Sequence, residues 1–354
     1  MSMEPVSDTD TSRDFAVVIG IEHYPRMQDN PAESAHADAR RFHDWLMETA
    51  RLPEVNTRLI LGEEPPAGAA PGEPLPHQLA IDSAFMELFT LAKSEGAHRL
   101  YVYFAGHGAS RRPDHVALML AGCSEQYPNY SLNAAMYQNG LLNQGLFAEQ
   151  FFFYDCCRPF DWRFKGSEPS WFSPLPDPAA GEVEQRVYYA ARFTEKANAR
   201  IDAGGLWRGL FTQALLEGLR GTGDSVEYVG DEQWGITGDS LGRYMEWRLP
   251  ELAGQRGASQ RLGSCRVGKF RDPLLITRPP PASVPVVLRA GTPAKEVLVR
   301  DCRYRVLQSV PVVDGKAQAD LSPGEYIFEA QPQPAGAVSS IVSHRVIAPV
   351  TLHF

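Results

Sequence analysis

The sequence predicts an α/β fold in which a mostly parallel sheet is flanked by helices and followed by a small C-terminal β-sandwich. Apolar runs that read as strands alternate with stretches of helical spacing, the mark of a parallel sheet. The runs "FAVVIGI", "RLYVYFA" and "FFFYD" are continuously apolar or nearly so, as in strands covered on both faces. Past residue 278 the helical period gives way to short β-patterned pieces separated by turn residues.

Taken in order, "FAVVIGI" (15–21) is the first strand, closed by a turn. "PAESAHADARRFHDWLMETA" (31–50) follows as a helix, with Ala35, Ala39, Phe42, Leu46 and Ala50 at helical spacing. "TRLIL" (57–61) is the second strand, and 62–76 is too rich in Gly and Pro for anything but a loop. A helix over 77–94 leads to "RLYVYFAGHGAS" (99–110), an apolar strand ending in glycines. A helix over 131–148 precedes the strand of "FFFYDCCRPF" (151–160). Residues 159–185 form a long irregular segment, and "RVYYAARF" (186–193) resumes the sheet. "GLWRGLFTQALLEGLRG" (205–221) reads as a helix stopped by glycine, and 237–252 as another, N-capped by Asp239 or Ser240. "RPPPASVP" is a stiff linker into the β-patterned pieces. The expected organisation is a disordered N-terminus (1–13), an α/β domain (14–278) and a β-sandwich domain (279–354).

A chain of 354 residues can bury a substantial core. Its net charge of −9, with no basic block, argues against a nucleic-acid partner. The five cysteines (123, 156, 157, 265, 302) are odd in number and lack CxxC spacing, which fits a reducing, cytoplasmic setting. The polar, acidic N-terminus is unlike a secretion signal, and no apolar run approaches the ~20 residues that span a bilayer, so no membrane association is expected.

Two strand ends carry chemistry: His107 in "FAGHG" and Cys156-Cys157 in "YDCCR". Both fall at the carboxyl edge of the sheet, where open α/β folds build their sites. A thiol nucleophile needs a neighbouring base, and imidazole has the right pKa. Gly108 leaves the ring uncrowded and offers an N–H to a developing oxyanion. Each residue alone has an ordinary structural reading: a cysteine after an aromatic strand is usually core, and a histidine between glycines can close a turn. Their joint occurrence, with the histidine about 50 residues before the cysteine, favours catalysis. Alternation places Asp155 and Cys157 on one face and Cys156 on the other.

"VVIGIEHYP", "ADARRFHDWL", "YVYFAGHG", "FFFYDCCRP", "VYYAAR" and "GLFTQALLEGLRG" resemble, in order, the consecutive blocks of the caspase-like cysteine peptidases, the clan of caspases, metacaspases and paracaspases. The resemblance covers 14–278 and is strongest to the bacterial branch. It implies a caspase-like sheet and a cysteine endopeptidase. The Asp-x-Cys pattern maps the nucleophile to Cys157, with His107 as base and the N–H groups of Gly108 and Cys157 as oxyanion hole. Asp155 would line the first pocket and select Arg or Lys, with Glu195 as a second acid; the competing reading of Asp155 is a cap at the strand end. Arg192, if it faced the pocket, would instead favour an acidic substrate. No metal or organic cofactor is required, and no calcium-loop spacing is visible. The implied substrate is a protein cleaved at basic residues, and the implied role is regulated cell death or antiphage defence. The C-terminal β-domain would engage an activator or assembly partner. Segment 159–185 would be mobile and open to self-cleavage at Arg163 or Lys165. The alternative is a catalytically inactive scaffold acting through its β-domain.

Overall fold

The structure is a computed structural model and describes residues 11–27, 31–62, 76–202, 204–222, 225–230, 233–255, 257–269, 273–278, 284–289, 294–301, 303–321, 324–332, 340–346 and 350–353. Two compact units are present, one spanning 9–222 and 241–273, the other including 223–240 and 274–354. In chain order the elements up to residue 278 are β1 (Asp14–Gly20), α1 (Ala35–Glu48), β2 (Thr57–Leu61), α2 (Gln78–Glu95), β3 (Arg99–Ala105), β4 (Gly108–Ala109), β5 (Ala117–Met119), β6 (Ser131–Asn133) and α3 (Ala134–Gln144). They continue with β7 (Glu149–Asp155), β8 (Glu184–Tyr189), β9 (Ala199–Ile201), β10 (Trp207–Gly209), α4 (Leu210–Leu219), β11 (Glu227–Gly230), β12 (Gln233–Thr237), α5 (Gly238–Gly254), β13 (Gly263–Gly268) and β14 (Leu274–Arg278).

The first unit is built on a six-stranded sheet in the order β13-β8-β7-β3-β1-β2, parallel throughout except for β13 at one edge. Every residue of β1, β3, β7 and β8 is buried, which is why the middles of β1, β3 and β7 run apolar without alternation, while β8 opens on Glu184-Gln185-Arg186 with Arg186 paired to Glu184 at 2.7 Å. On one face, Phe85, Leu88 and Phe89 of α2 and Leu141 of α3 share a core with Phe15, Val17, Phe104 and Phe152. On the other, Phe42 of α1 stacks on Tyr103 at 4.7 Å, and Trp45 meets Tyr101 edge-on. Each fully buried side chain of this size contributes about 1.5–3 kcal/mol of transfer energy.

Several elements depart from expectation for local reasons. Residues 131–133 pair as β6, and α3 starts only after Asn133, whose Oδ1 accepts the Met136 N–H at 3.3 Å. The stretch before α4 is a hairpin strand, β10, paired with β9. The cap of α5 is Thr237 rather than Asp239 or Ser240: its Oγ1 accepts the Ser240 N–H at 3.0 Å while Ser240 Oγ accepts the Thr237 N–H at 2.9 Å, a reciprocal capping box. Segment 159–185 is irregular apart from isolated bridges at Phe160 and Ser167, one 3-10 turn at Pro178–Glu182 and its last two residues, which already belong to β8, yet it is anchored. Trp171 packs against Phe85, Phe89 and Tyr137, and Asp82 accepts the Ser170 N–H at 2.9 Å.

In the second unit β11, β12 and β14 form an antiparallel sheet. The remaining strands are β15 (Val284–Arg289), β16 (Ala294–Arg300), β17 (Val306–Pro311), β18 (Lys316–Leu321), β19 (Gly324–Pro332), β20 (Ser340–Val346) and β21 (Val350–His353). The sheets β18-β15-β21 and β17-β16-β19-β20 contribute Val286, Leu288, Val297, Val299, Phe328 and Val346 to one core, so they form a sandwich. Residues 223–240 and 274–278, read from sequence as part of the α/β domain, group with this unit. Positions 1–10, most of the 62–76 loop, the proline linker at 279–283 and Cys302 lie outside the described residues. Among the described residues, no helix is long and apolar enough to cross a membrane, and no cluster of three or more His, Cys, Asp or Glu side chains is arranged to hold a metal.

Candidate active site

Strands β3 and β7 run in register, with Ala105 opposite Asp155. Two residues beyond that pair, the chains deliver His107 and Cys157 to the wall of one cavity of about 180 Å³, which Gly106, Asp155, Cys156, Ala197, Asn198, Trp207 and Gly209 also line. Parallel pairing of two apolar strands therefore brings the histidine and the thiol together.

His107 is held by its surroundings. Its backbone N–H donates to Tyr24 Oη at 2.8 Å, and the two rings lie 4.6 Å apart. Tyr24 Oη donates to the Met119 carbonyl at 3.3 Å, and the Met119 N–H returns a bond to the His107 carbonyl at 3.0 Å. Burial keeps the Tyr24 phenol far from ionising. Gly106 makes the approach possible, because a Cβ there would lie 2.6 Å from Tyr24 Oη.

Cys156 and Cys157 point to different environments. Cys156 is 2% exposed and belongs to the core, where burial pushes its thiol pKa up. Cys157 is half-buried; its Sγ accepts the Ala197 N–H at 3.3 Å and donates to the Ala197 carbonyl at 3.6 Å. Burial raises its pKa too, while the Ala197 N–H pulls the other way. In this state the thiol is engaged by a backbone amide of the loop after β8. The backbone N–H of Cys157 has no acceptor among the described residues. Gly108 is not in the cavity lining; it backs onto the cysteine pair, where a Cβ would lie 2.7 Å from Cys156 Sγ and 2.8 Å from the Cys157 carbonyl oxygen. Arg158 braces the following turn, with its guanidinium 4.2 Å from the Tyr189 ring centre and its Nε donating to Ser110 Oγ at 3.3 Å.

The base of the cavity is acidic. Asp155 Oδ2 accepts the Thr212 hydroxyl at 2.6 Å and the Thr212 N–H at 3.3 Å, and Tyr103 Oη lies 2.5 Å from that same hydroxyl. Behind Gly209 stands Asp38 of α1, a residue the sequence reading missed. Its Oδ2 accepts the Gly209 N–H at 2.8 Å, and its Oδ1 pairs with Arg41 at 2.6 Å. Burial lifts both carboxyl pKa values above the usual range, and for Asp155 the charge of Asp38 adds to the effect. The signal for Asp38 was present: an acid three residues after Ala35 and four before Phe42 sits on the apolar stripe of its helix.

Glu195 and Arg192 are not brought into this cavity. Glu195 pairs with Arg261, whose Nε lies 3.0 Å from Oε1. Arg192 donates from Nε to the Leu262 carbonyl at 3.2 Å. The loop carrying Ala197 is pinned one residue later, where the Asn198 N–H donates at 2.8 Å to Gln260, itself bonded to the Ala190 carbonyl at 2.9 Å. A thiol and an imidazole in one wall can perform nucleophilic acyl transfer, and paired buried carboxylates can bind a cation.

A family model for the caspase domain matches residues 13–229. A probable protease of a Desulfuromonadales bacterium is 30% identical over 345 residues, covering 89% of this chain and 40% of the relative, so the chain spans two fifths of that protein's length. Among solved structures, pro-sf-caspase-1 aligns over 73% of this chain and 92% of its own at 12% identity and a TM-score of 0.41. The Arg-specific cysteine proteinase gingipain R aligns over 94% and 66% at 12% identity and a TM-score of 0.31. The pro- and mature domains of Porphyromonas gingivalis RgpB align over 94% and 68% at 11% identity and a TM-score of 0.30.

Proposed function

The chain belongs to the caspase-domain family, and from that membership we propose that it is a cysteine endopeptidase cutting after Arg or Lys, with Cys157 as nucleophile and His107 as its base. The observation that carries the proposal is one cavity that gathers His107, Cys157 and Asp155, with Asp38 directly behind it.

The substrate's basic side chain enters the acid-floored cavity and supplies the cation that Asp155 lacks. Cys157 turns from Ala197 towards His107, which takes the thiol proton as Sγ attacks the peptide carbonyl carbon. The resulting oxyanion accepts a hydrogen bond from the Cys157 N–H. Collapse breaks the C–N bond, and His107 passes its proton to the leaving amine, leaving a thioester. Water, deprotonated by His107, hydrolyses that thioester and restores the thiol. The proposed target is a protein cleaved at basic residues, in bacterial cell death or antiphage defence, with the β-sandwich meeting a partner.

An arginyl chloromethyl ketone tests the reading. Mass spectrometry should locate the adduct on Cys157 in the wild type and find none in Cys157→Ala or His107→Ala. Labelling at another cysteine, or none at all, refutes it.

A further inference from the structure

We propose that a second cavity, lined by the continuations of the segments that carry His107 and Cys157, binds the substrate segment that follows the scissile bond and selects a bulky apolar residue next to an acidic one. This rests on the peptidase reading above. The cavity measures about 910 Å³, and its lining includes Arg26, Met27, Met119, Tyr127, Phe160 and Phe164. That volume holds several residues of peptide and lies within the range of ordinary ligand sites.

Three segments link the two cavities. Ala105–His107 and Asp155–Cys157 line the first, while Ala109 and Pro159–Phe160, the continuations of the same two segments, line the second. Those continuations are zipped together, with the Ser110 N–H donating to the Pro159 carbonyl at 2.9 Å and the Asp161 N–H to the Ser110 carbonyl at 3.0 Å. The loop after β1 repeats the pattern: Pro31–Ala35 line the first cavity and Pro25–Met27 the second. Tyr24, beside His107, precedes the latter directly. A peptide whose basic side chain fills the first cavity presents its carbonyl to Cys157. Its amine half departs past His107, which must protonate it, and the segments that carry His107 and Cys157 run on to line the second cavity.

The chemistry of the lining sets the preference. Met119 and Phe164 are each 5% exposed and form an apolar floor, while Phe160 stands at the rim 60% exposed. The acids of this cavity are already engaged, because Arg163 lies 2.7 Å from Asp161 and 3.1 Å from Glu125. Arg26 rests on the rings of Tyr127 and Tyr130 at 4.7 and 5.3 Å and donates to the Gly122 carbonyl at 3.4 Å. It has no carboxylate partner among the described residues. A substrate carboxylate would supply one.

The test uses internally quenched peptides identical up to a single Arg and continuing with Phe-Glu, Phe-Lys or Gly-Glu, beside an Arg-ended coumarin amide that lacks any following residue. Phe-Glu should exceed both others in kcat/KM by about tenfold. Phe164→Ala should shrink the preference for Phe, and Arg26→Glu should invert the Glu-over-Lys preference, a gain that misfolding cannot mimic. Equal kcat/KM for the three peptides, or preferences that survive both substitutions, would overturn the inference while coumarin turnover left the peptidase reading standing. Failure of the wild type to hydrolyse the coumarin amide would remove both.

Discussion

Asp38 and Asp155, one on a helix and one at a strand end, converge on the same glycine. A Cβ on Gly209 would lie 2.8 Å from the Oδ2 of the first and 2.5 Å from the Oδ2 of the second. Asp38 is partly balanced by Arg41, whereas among the described residues the Asp155 carboxylate accepts hydrogen bonds from Thr212 alone. Two buried acids this close resist ionising together, and an incoming cation relieves the conflict.

The first expected outcome separates stability from recognition. The folded-state pKa of Asp155 is raised, first by burial and then by Asp38. Its stabilising contribution is therefore present below the ordinary carboxylate pKa and is lost as pH rises through the folded value. Asp155→Asn should raise the Tm by a few degrees at pH 8, where the carboxylate is charged, and change it little at pH 4. The same variant should lose turnover of Arg-ended peptides. A lower Tm at pH 8 would contradict this reading.

Thr212 is a positioning residue, since it acts through Asp155. Thr212→Val removes the 2.6 Å bond to Asp155 and the hydroxyl beside Tyr103, at a cost of about 1–3 kcal/mol. KM for an Arg-ended peptide should rise about tenfold with kcat little changed, because uniform binding is lost rather than transition-state contact. Thr212→Ser should restore KM. A valine variant with unaltered KM would mean that Asp155 is aimed by something else.

For the two thiols, Cys157→Ala should abolish hydrolysis and Cys156→Ala should retain most of it with some loss of Tm, because Cys156 is core. The Cys157 thiol is held protonated by burial, so iodoacetamide should label it slowly at pH 7, faster as pH rises, and faster still when an Arg-ended ligand displaces Ala197. Equal loss of activity in both alanine variants, with folding intact, would contradict the assignment.

At the opposite end of the sheet, His98 lies 3.5 Å from both Asp14 and Glu149, which hold its pKa up at about 9. Its contribution to stability is full below the ordinary histidine pKa and disappears as pH rises through about 9. His98→Gln should lower the Tm at pH 6 but not at pH 10, as followed by circular dichroism. A deficit that is the same at both pH values would show that the charge is irrelevant.

The central strands were legible because burial on both faces forces continuous apolar runs, and β3 and β7 pair in parallel with Ala105 opposite Asp155. Strands of two or three residues, such as β4 and β10, are too short to carry a period. Placing His107, Asp155 and Cys157 at neighbouring strand ends needed only that register. Glu195 lies outside the cavity lining because β8 ends at Tyr189 and the chain leaves the sheet, so counting along the strand no longer locates a side chain. Asp38 was overlooked because an acid within an amphipathic helix is ordinarily a surface residue, and only tertiary packing against Gly209 makes it part of the site.

The central claim, a Cys157 peptidase with an acid-floored pocket, is tested most directly by turnover of coumarin amides that differ only in the last residue. The wild type should hydrolyse the Arg and Lys amides at least about a hundredfold faster than the Asp amide, given a paired carboxylate site. Asp155→Asn should erase that ratio and Cys157→Ala should hydrolyse none of the three. Faster turnover of the Asp amide, or turnover that survives in Cys157→Ala, would contradict the account.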